Sequence, residues 1–156
     1  MLHLALYEPE IPPNTGNIAR LAAATGAMLH LIGRLGFRLD ERSLRRAGVD
    51  CWAKVQSLRH ASLADFEAWR TAQGHDPARC FAFSARAAQP YTQLRFQDGD
   101  ALLFGGEAHG LPAETLARFA GRTYAIPMPG GATRSLNLAT AVGIVLYEAL
   151  RQLHSW

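Results

Sequence analysis

Leu2-His3-Leu4-Ala5-Leu6-Tyr7-Glu8-Pro9-Glu10-Ile11-Pro12-Pro13-Asn14-Thr15-Gly16-Asn17-Ile18-Ala19-Arg20 decides how this chain is read. Leu2 to Tyr7 is an apolar run with the length of a buried strand. Three prolines then interrupt regular structure, and Asn14 stands where a helix N-cap belongs. From Asn14 the pattern turns helical, with Ile18, Leu21, Ala22 and Thr25 on one face and Gly26 as C-cap. The stretch therefore reads strand, loop, helix, with the helix N-terminus at the strand's carboxyl end. Asn14, Asn17 and Arg20 fall one turn apart on its opening turns. Two amides and a guanidinium gathered there predict a polar ligand, although Asn14 is a good cap for any helix and Arg20 alone also reads as a solvated surface residue.

Working outward, the same alternation repeats. Met28 to Ile32 reads as a second strand, Asp40 to Arg46 as a short helix and Trp52 to Leu58 as a further strand. Ser62 caps a helix running through Gln73, closed by Gly74 and Pro77. Cys80 to Ala85 and Ala101 to Phe104 are compact apolar runs of the central-strand kind. Pro112 opens a helix to Phe119 at the N1 position. Arg122 to Ile126 is the last strand, and an amphipathic helix from Ser135 to Leu153 closes the chain, its core face Leu138, Val142, Leu146 and Leu150. Strand–helix alternation throughout predicts an α/β fold, a parallel sheet covered on both faces. Ligands of such sheets gather at the strands' carboxyl ends. There is no internal repeat or linker, so residues 1–156 are expected to form one domain.

Composition narrows the class. The chain has 156 residues, 49% hydrophobic and 19% charged, the balance of a globular protein. Glu8 and Pro9 end the first apolar run too early for a secretory leader. The longest apolar stretch, Leu138 to Tyr147, is too short for a membrane span, so a cytoplasmic location is expected. Cys51 and Cys80 indicate neither a disulfide framework nor a metal site. The net charge is +3, and Lys54 is the only lysine among sixteen basic residues. Arginine suits bidentate contact with phosphate. The densest cluster, Arg34, Arg38, Arg42, Arg45 and Arg46, is read either as a phosphate-tracking face or as the wet side of a short helix.

Two more strand-end loops carry polar and glycine residues. Gly105-Gly106-Glu107-Ala108-His109-Gly110-Leu111-Pro112 allows close backbone approach to a ligand and holds an acid, Glu107. It is neither a dinucleotide fingerprint nor an NTP-binding loop. Ile126-Pro127-Met128-Pro129-Gly130-Gly131-Ala132-Thr133-Arg134-Ser135-Leu136-Asn137 leads into the last helix, with Ser135 as its natural N-cap and Asn137 in the first turn.

Asn14–Arg20, Gly105–Pro112 and Ile126–Leu138, in this order and at these spacings, resemble the three motifs of the SPOUT RNA methyltransferases. The likeness covers nearly the whole chain, including Leu44–Asp50 and Leu146–Gln152, and within the superfamily it is strongest to enzymes that methylate the wobble nucleotide of tRNA at the ribose 2′-oxygen. The resemblance implies an α/β sheet with a deep trefoil knot in its C-terminal half, an outcome that general topology rules disfavour. It implies S-adenosylmethionine as methyl donor, the tRNA anticodon stem-loop as substrate, no metal, and a homodimer whose active sites borrow from both subunits. Carried over by position, it implies cofactor contacts at Phe83, Gly105, Ile126, Ser135 and Leu136. For chemistry it implies Arg20, Asn14, Glu107, Ser135 and Asn137, with Arg134 joining the arginine cluster as an RNA contact.

A guanidinium stays protonated at ordinary pH, so Arg20 is expected to bind the phosphate beside the target ribose rather than take its proton. Asn14 and Asn137 are expected to orient the loops and ribose, and Glu107 to fix an arginine or the third loop's backbone. His109, Gly106 and Ala139-Thr140 depart from the pattern, and the Pro129–Thr133 loop is about one residue long for it. Three readings compete: a ribosomal-RNA 2′-O-methyltransferase, for whose extra domain motif one leaves no room; a silent RNA- or cofactor-binding module; and a plain nucleotide-binding domain.

Overall fold

The computed structural model describes residues 1–46 and 51–156, and for residues 41, 44 and 45 their backbone alone. The Arg45 side chain and positions 47–50 of the Leu44–Asp50 motif thus lie outside the described residues. Seven strands form one sheet: β1 (His3–Tyr7), β2 (Met28–Ile32), β3 (Ser57–His60), β4 (Cys80–Phe83), β5 (Gln89–Pro90), β6 (Ala101–Phe104) and β7 (Thr123–Ala125). Their order is β3-β2-β1-β6-β4-β7-β5, and every pairing is parallel. The helices are α1 (Pro12–Thr25), α2 (Glu41–Arg46), α3 (Leu63–Ala72), α4 (Ala113–Arg118) and α5 (Leu138–His154). None of the described helices is long and apolar enough to cross a membrane.

Period-two alternation splits the core between the sheet's faces. Leu2, just before β1, and Leu4 and Leu6 within it meet Ile18 and Ala22 of α1 and Val142, Val145, Leu146 and Ala149 of α5. Ala5, with Ala82 and Leu103, faces the other way, against Leu63 and Phe66 of α3. Both faces being covered explains why the strands read as continuous apolar runs rather than alternating ones.

Some element ends differ from the sequence reading. Helix α1 begins at Pro12, with Ile11 as its cap, because two prolines fit a first turn whose N–H groups lack intrahelical acceptors anyway. Asn14 is thereby released from capping. Pro112 is the N-cap of α4 rather than its first residue. Ser135 does not cap α5; Asn137 does, its Oδ1 accepting from the amides of Ala139 at 2.9 Å and Thr140 at 3.2 Å. Trp52–Lys54 is a 3-10 turn, and the strand expected there is Ser57–His60. Gly26 closes α1 in the left-handed conformation and Ser62 caps α3, as their residue types predict.

A ladder of histidines crosses the α3 face. His3 Nδ1 lies 2.9 Å from His30 Nε2, and His30 Nδ1 lies 3.0 Å from His60 Nε2, so one imidazole on each of three neighbouring strands is linked in series. All three are buried, with Phe66 and Trp69 of α3 and the His75 ring packed against them. A neutral imidazole has one donor and one acceptor, so the chain is satisfied with one proton per ring. Burial lowers the His30 pKa to about 2, helped by the neighbouring His3, His60, Arg70 and His75. Burial likewise lowers His3 to about 4, and it lowers His60.

Candidate active site

Because the strands are parallel, β1, β4, β6 and β7 deliver their carboxyl ends to one edge, and the following loops enclose a cavity of about 830 Å³ there. Its floor is apolar: Phe83 and Phe104 stack with centroids 4.9 Å apart, and Ile126 and Leu138 extend the surface. All five residues expected at a cofactor, Phe83, Gly105, Ile126, Ser135 and Leu136, line it. Gly105 is there for a steric reason. A Cβ on it would lie 2.1 Å from the Gly110 carbonyl carbon, so the loop folds back on itself only if residue 105 has no side chain. The return is held by the Gly110 amide donating to Gly106 O at 2.9 Å.

The three motif loops are stitched together by carboxylates and amides. Asn137 Nδ2 donates to Asn14 Oδ1 at 2.9 Å, and Asn14 Nδ2 donates to Glu107 Oε1 at 3.3 Å. The Glu107 carboxylate also accepts from the backbone amides of Glu10 at 2.7 Å and Ile11 at 3.0 Å. Glu10 returns the contact, its Oε1 accepting from the Ala108 amide at 3.2 Å. Asn137 thus spends its carbonyl oxygen on the helix it caps and its amide on the first loop. Glu107 fixes the first loop's backbone through the Glu10 and Ile11 amides, which precede the first turn of α1 and have no helical acceptor.

The remaining sequence candidates separate. Asn14, Glu107, Ser135, Asn137 and Arg134 line the cavity. Arg20 does not; it lines an adjoining shallow cleft with Asn17, Asn137, Ala139 and Thr140. Asn137 borders both hollows. Arg34, Arg38, Arg42 and Arg46 are exposed, away from the cavity lining. Two residues of the site were not singled out from sequence. Glu10 lay within the opening stretch, and only its charge at a strand end could have flagged it. Arg86 follows β4 in a fourth strand-end loop that carries no glycine signature. Among the described residues no group of side chains suits a metal ion.

The profile of a family described as "SpoU rRNA Methylase family" matches residues 1–147. The chain is 47% identical over 154 residues to a tRNA (cytidine(34)-2'-O)-methyltransferase of Escherichia coli K12, covering 98% of this chain and 94% of that protein. A solved structure described as "Structural insights into the 2-OH methylation of C/U34 on tRNA" is 54% identical and superposes with a TM-score of 0.90, covering 100% and 98% of the two chains. The methyltransferase AviRb of Streptomyces viridochromogenes, solved in complex with the cofactor AdoMet, is 29% identical with a TM-score of 0.84, covering 99% of this chain and 58% of that one.

Proposed function

The chain belongs to the SpoU rRNA methylase family, and on that premise we propose that it methylates the ribose 2′-hydroxyl of the tRNA wobble nucleotide, a cytidine or modified uridine, using S-adenosylmethionine. The observation that carries this reading is a match running almost end to end, at 47% identity, to a protein named for that reaction, with three motif loops closed around one cavity. The cavity suits the methyl donor: its size and apolar floor fit a nucleoside, and Gly105 brings bare backbone to the wall. When bound, S-adenosylmethionine supplies an electrophilic methyl group on a sulfonium.

The chain's own residues then have three tasks. Phe83, Gly105, Ile126, Ser135 and Leu136 form the seat. The Asn137–Asn14–Glu107 series keeps the first and third loops at a fixed distance, so that the ribose meets the donor in one orientation. Arg20, in the adjoining cleft, binds the phosphate beside the target ribose, and the departing hydroxyl proton passes to that phosphate or to water. The segment carrying the exposed Arg34, Arg38, Arg42 and Arg46, together with Arg45, tracks the anticodon stem-loop backbone.

Since Arg20 opens onto a neighbouring cleft, a second copy of the chain completes the site, which is the homodimer expected for the family. The deep trefoil knot is part of the same reading. It is supported by β6 slotting between β1 and β4 and by α5 returning beside α1. The protein acts in the cytoplasm, where its substrate is found.

The test is transfer of labelled methyl to tRNA from a strain lacking this modification, with Arg20→Ala run in parallel and the product located by mass spectrometry. Label on the wobble 2′-oxygen, lost in the variant, is expected. Label at another nucleotide, or none despite cofactor binding, refutes the wobble assignment.

A further inference from the structure

The β4 loop contributes a cation that the mechanism above leaves unused. Arg86 lines the cavity and is exposed. Its backbone is fixed by its own amide donating to Ser84 Oγ at 3.2 Å and by the Ala87 amide donating to Ser84 O at 3.1 Å. Its guanidinium makes one long contact, Nη2 donating to the His109 carbonyl at 3.4 Å, so it reaches across to the Gly105–Pro112 loop. Among the described residues no carboxylate pairs with it. Arg134 lines the same cavity from the third loop, also exposed and without an ion pair among the described residues.

The cavity has one carboxylate in its lining, Glu107, and that group already accepts from two amides and from Asn14. With two guanidinium groups against one carboxylate, the lining carries a net positive charge beside an apolar floor. Such a site lowers its energy most by taking an oxyanion at the rim while a nucleoside fills the floor. We propose that Arg86, with Arg134 on the lining of the same cavity, seats a phosphate of the RNA strand that carries the target ribose. The same oxyanion chemistry could come from the carboxylate of the methyl donor. Phosphate is favoured because both arginines are solvent-exposed at the cavity, where a polyanionic strand can meet them. This inference rests on the RNA-methylation reading.

The test uses the full-length protein as wild type, Arg86→Ala, Arg86→Gln and Arg86→Lys. Arg86→Gln keeps a polar, hydrogen-bonding side chain at this exposed position without the charge, so a folding defect in the alanine variant does not blur the result. Transfer-RNA binding is followed by anisotropy from about 50 to 200 mM salt, and S-adenosylhomocysteine binding by calorimetry. Loss of one phosphate contact should weaken tRNA binding about tenfold at low salt and flatten the log–log salt slope by roughly 0.7 to 0.9 in the alanine and glutamine variants. Arg86→Lys should recover the slope, and cofactor affinity should stay within about twofold of wild type. An unchanged RNA slope overturns the proposal, and an unchanged slope with a large loss of cofactor affinity reassigns Arg86 to the donor's carboxylate. A wild-type protein that neither binds nor methylates tRNA sinks this proposal together with the function it rests on.

Discussion

Replacing His30 by Gln should make the fold less sensitive to mild acid. In the folded chain His30 is held neutral, with a pKa of about 2, and His3 with a pKa of about 4, whereas the unfolded chain protonates both near 6.5. The folded pKa values lie below the unfolded ones, so no stability is lost above pH 6.5. Below it the unfolded state gains protons that the native state refuses. At pH 5 each of the two rings then costs about 2 kcal/mol, and together about 4 kcal/mol, against total stabilities of roughly 5–15 kcal/mol for a domain. Carboxylates with lowered pKa, such as Glu148 at about 2, act at lower pH, so the window from 6.5 to 5 reports on the histidines, with His60 and His75, also lowered by burial, adding to His3 and His30. Urea unfolding followed by circular dichroism at pH 7.5, 6.5, 5.8 and 5.0 should show wild-type stability falling through that window. His30→Gln should cost stability at pH 7.5 through lost hydrogen bonds, yet remove about 1.4 kcal/mol per pH unit from the slope. An identical slope in the variant would refute the claim that His30 is buried neutral.

Asn137→Ala should destabilise by about 1 kcal/mol through loss of the α5 cap and should also lower kcat, whereas Asn137→Ser should restore most of the stability but not the turnover, because serine cannot reach Asn14; chemical denaturation and steady-state rates check both halves. Glu107→Ala removes the acceptor of the exposed Glu10 and Ile11 amides and should cost about 1 kcal/mol, with Glu107→Gln intermediate, measured by urea midpoint. Gly105→Ala places a methyl against fixed backbone and should abolish cofactor binding by calorimetry even in protein that remains folded.

The parts of this fold legible in sequence were those set by local chemistry. Gly26, Ser62 and the apolar runs at Met28 and Ala101 announced their roles because a cap or a buried strand needs little beyond its own residues. The family motifs went further and pointed to residues that the loops bring to one cavity, with Arg20 placed instead in the adjoining cleft. What stayed hidden depended on partners distant in sequence. Ser135 and Asn137 are both competent caps, and the choice turned on whether Asn14 lay within reach of the second. Asn14 looked like a cap until Pro12 and Pro13 took the first turn. Residues 89 and 90 are too few to carry a strand pattern. The histidines lie 27 and 30 positions apart, and only the parallel register of β1, β2 and β3 makes them neighbours.

The placement of β6 between β1 and β4 has a consequence for how the chain is made. During synthesis the ribosome releases β1, β2 and β3 long before residues 101–104, so β1 emerges with one ladder edge bare and waits for most of the chain. An unpaired apolar edge is a template for the wrong partner, including the same strand of another nascent chain. Pairings at this sequence separation also close slowly, since a long loop must be ordered before any contact rewards it. Production of the protein should therefore be limited by the time that edge remains open, and slowing synthesis after residue 83 should lower the yield of soluble chain more than slowing it after residue 104.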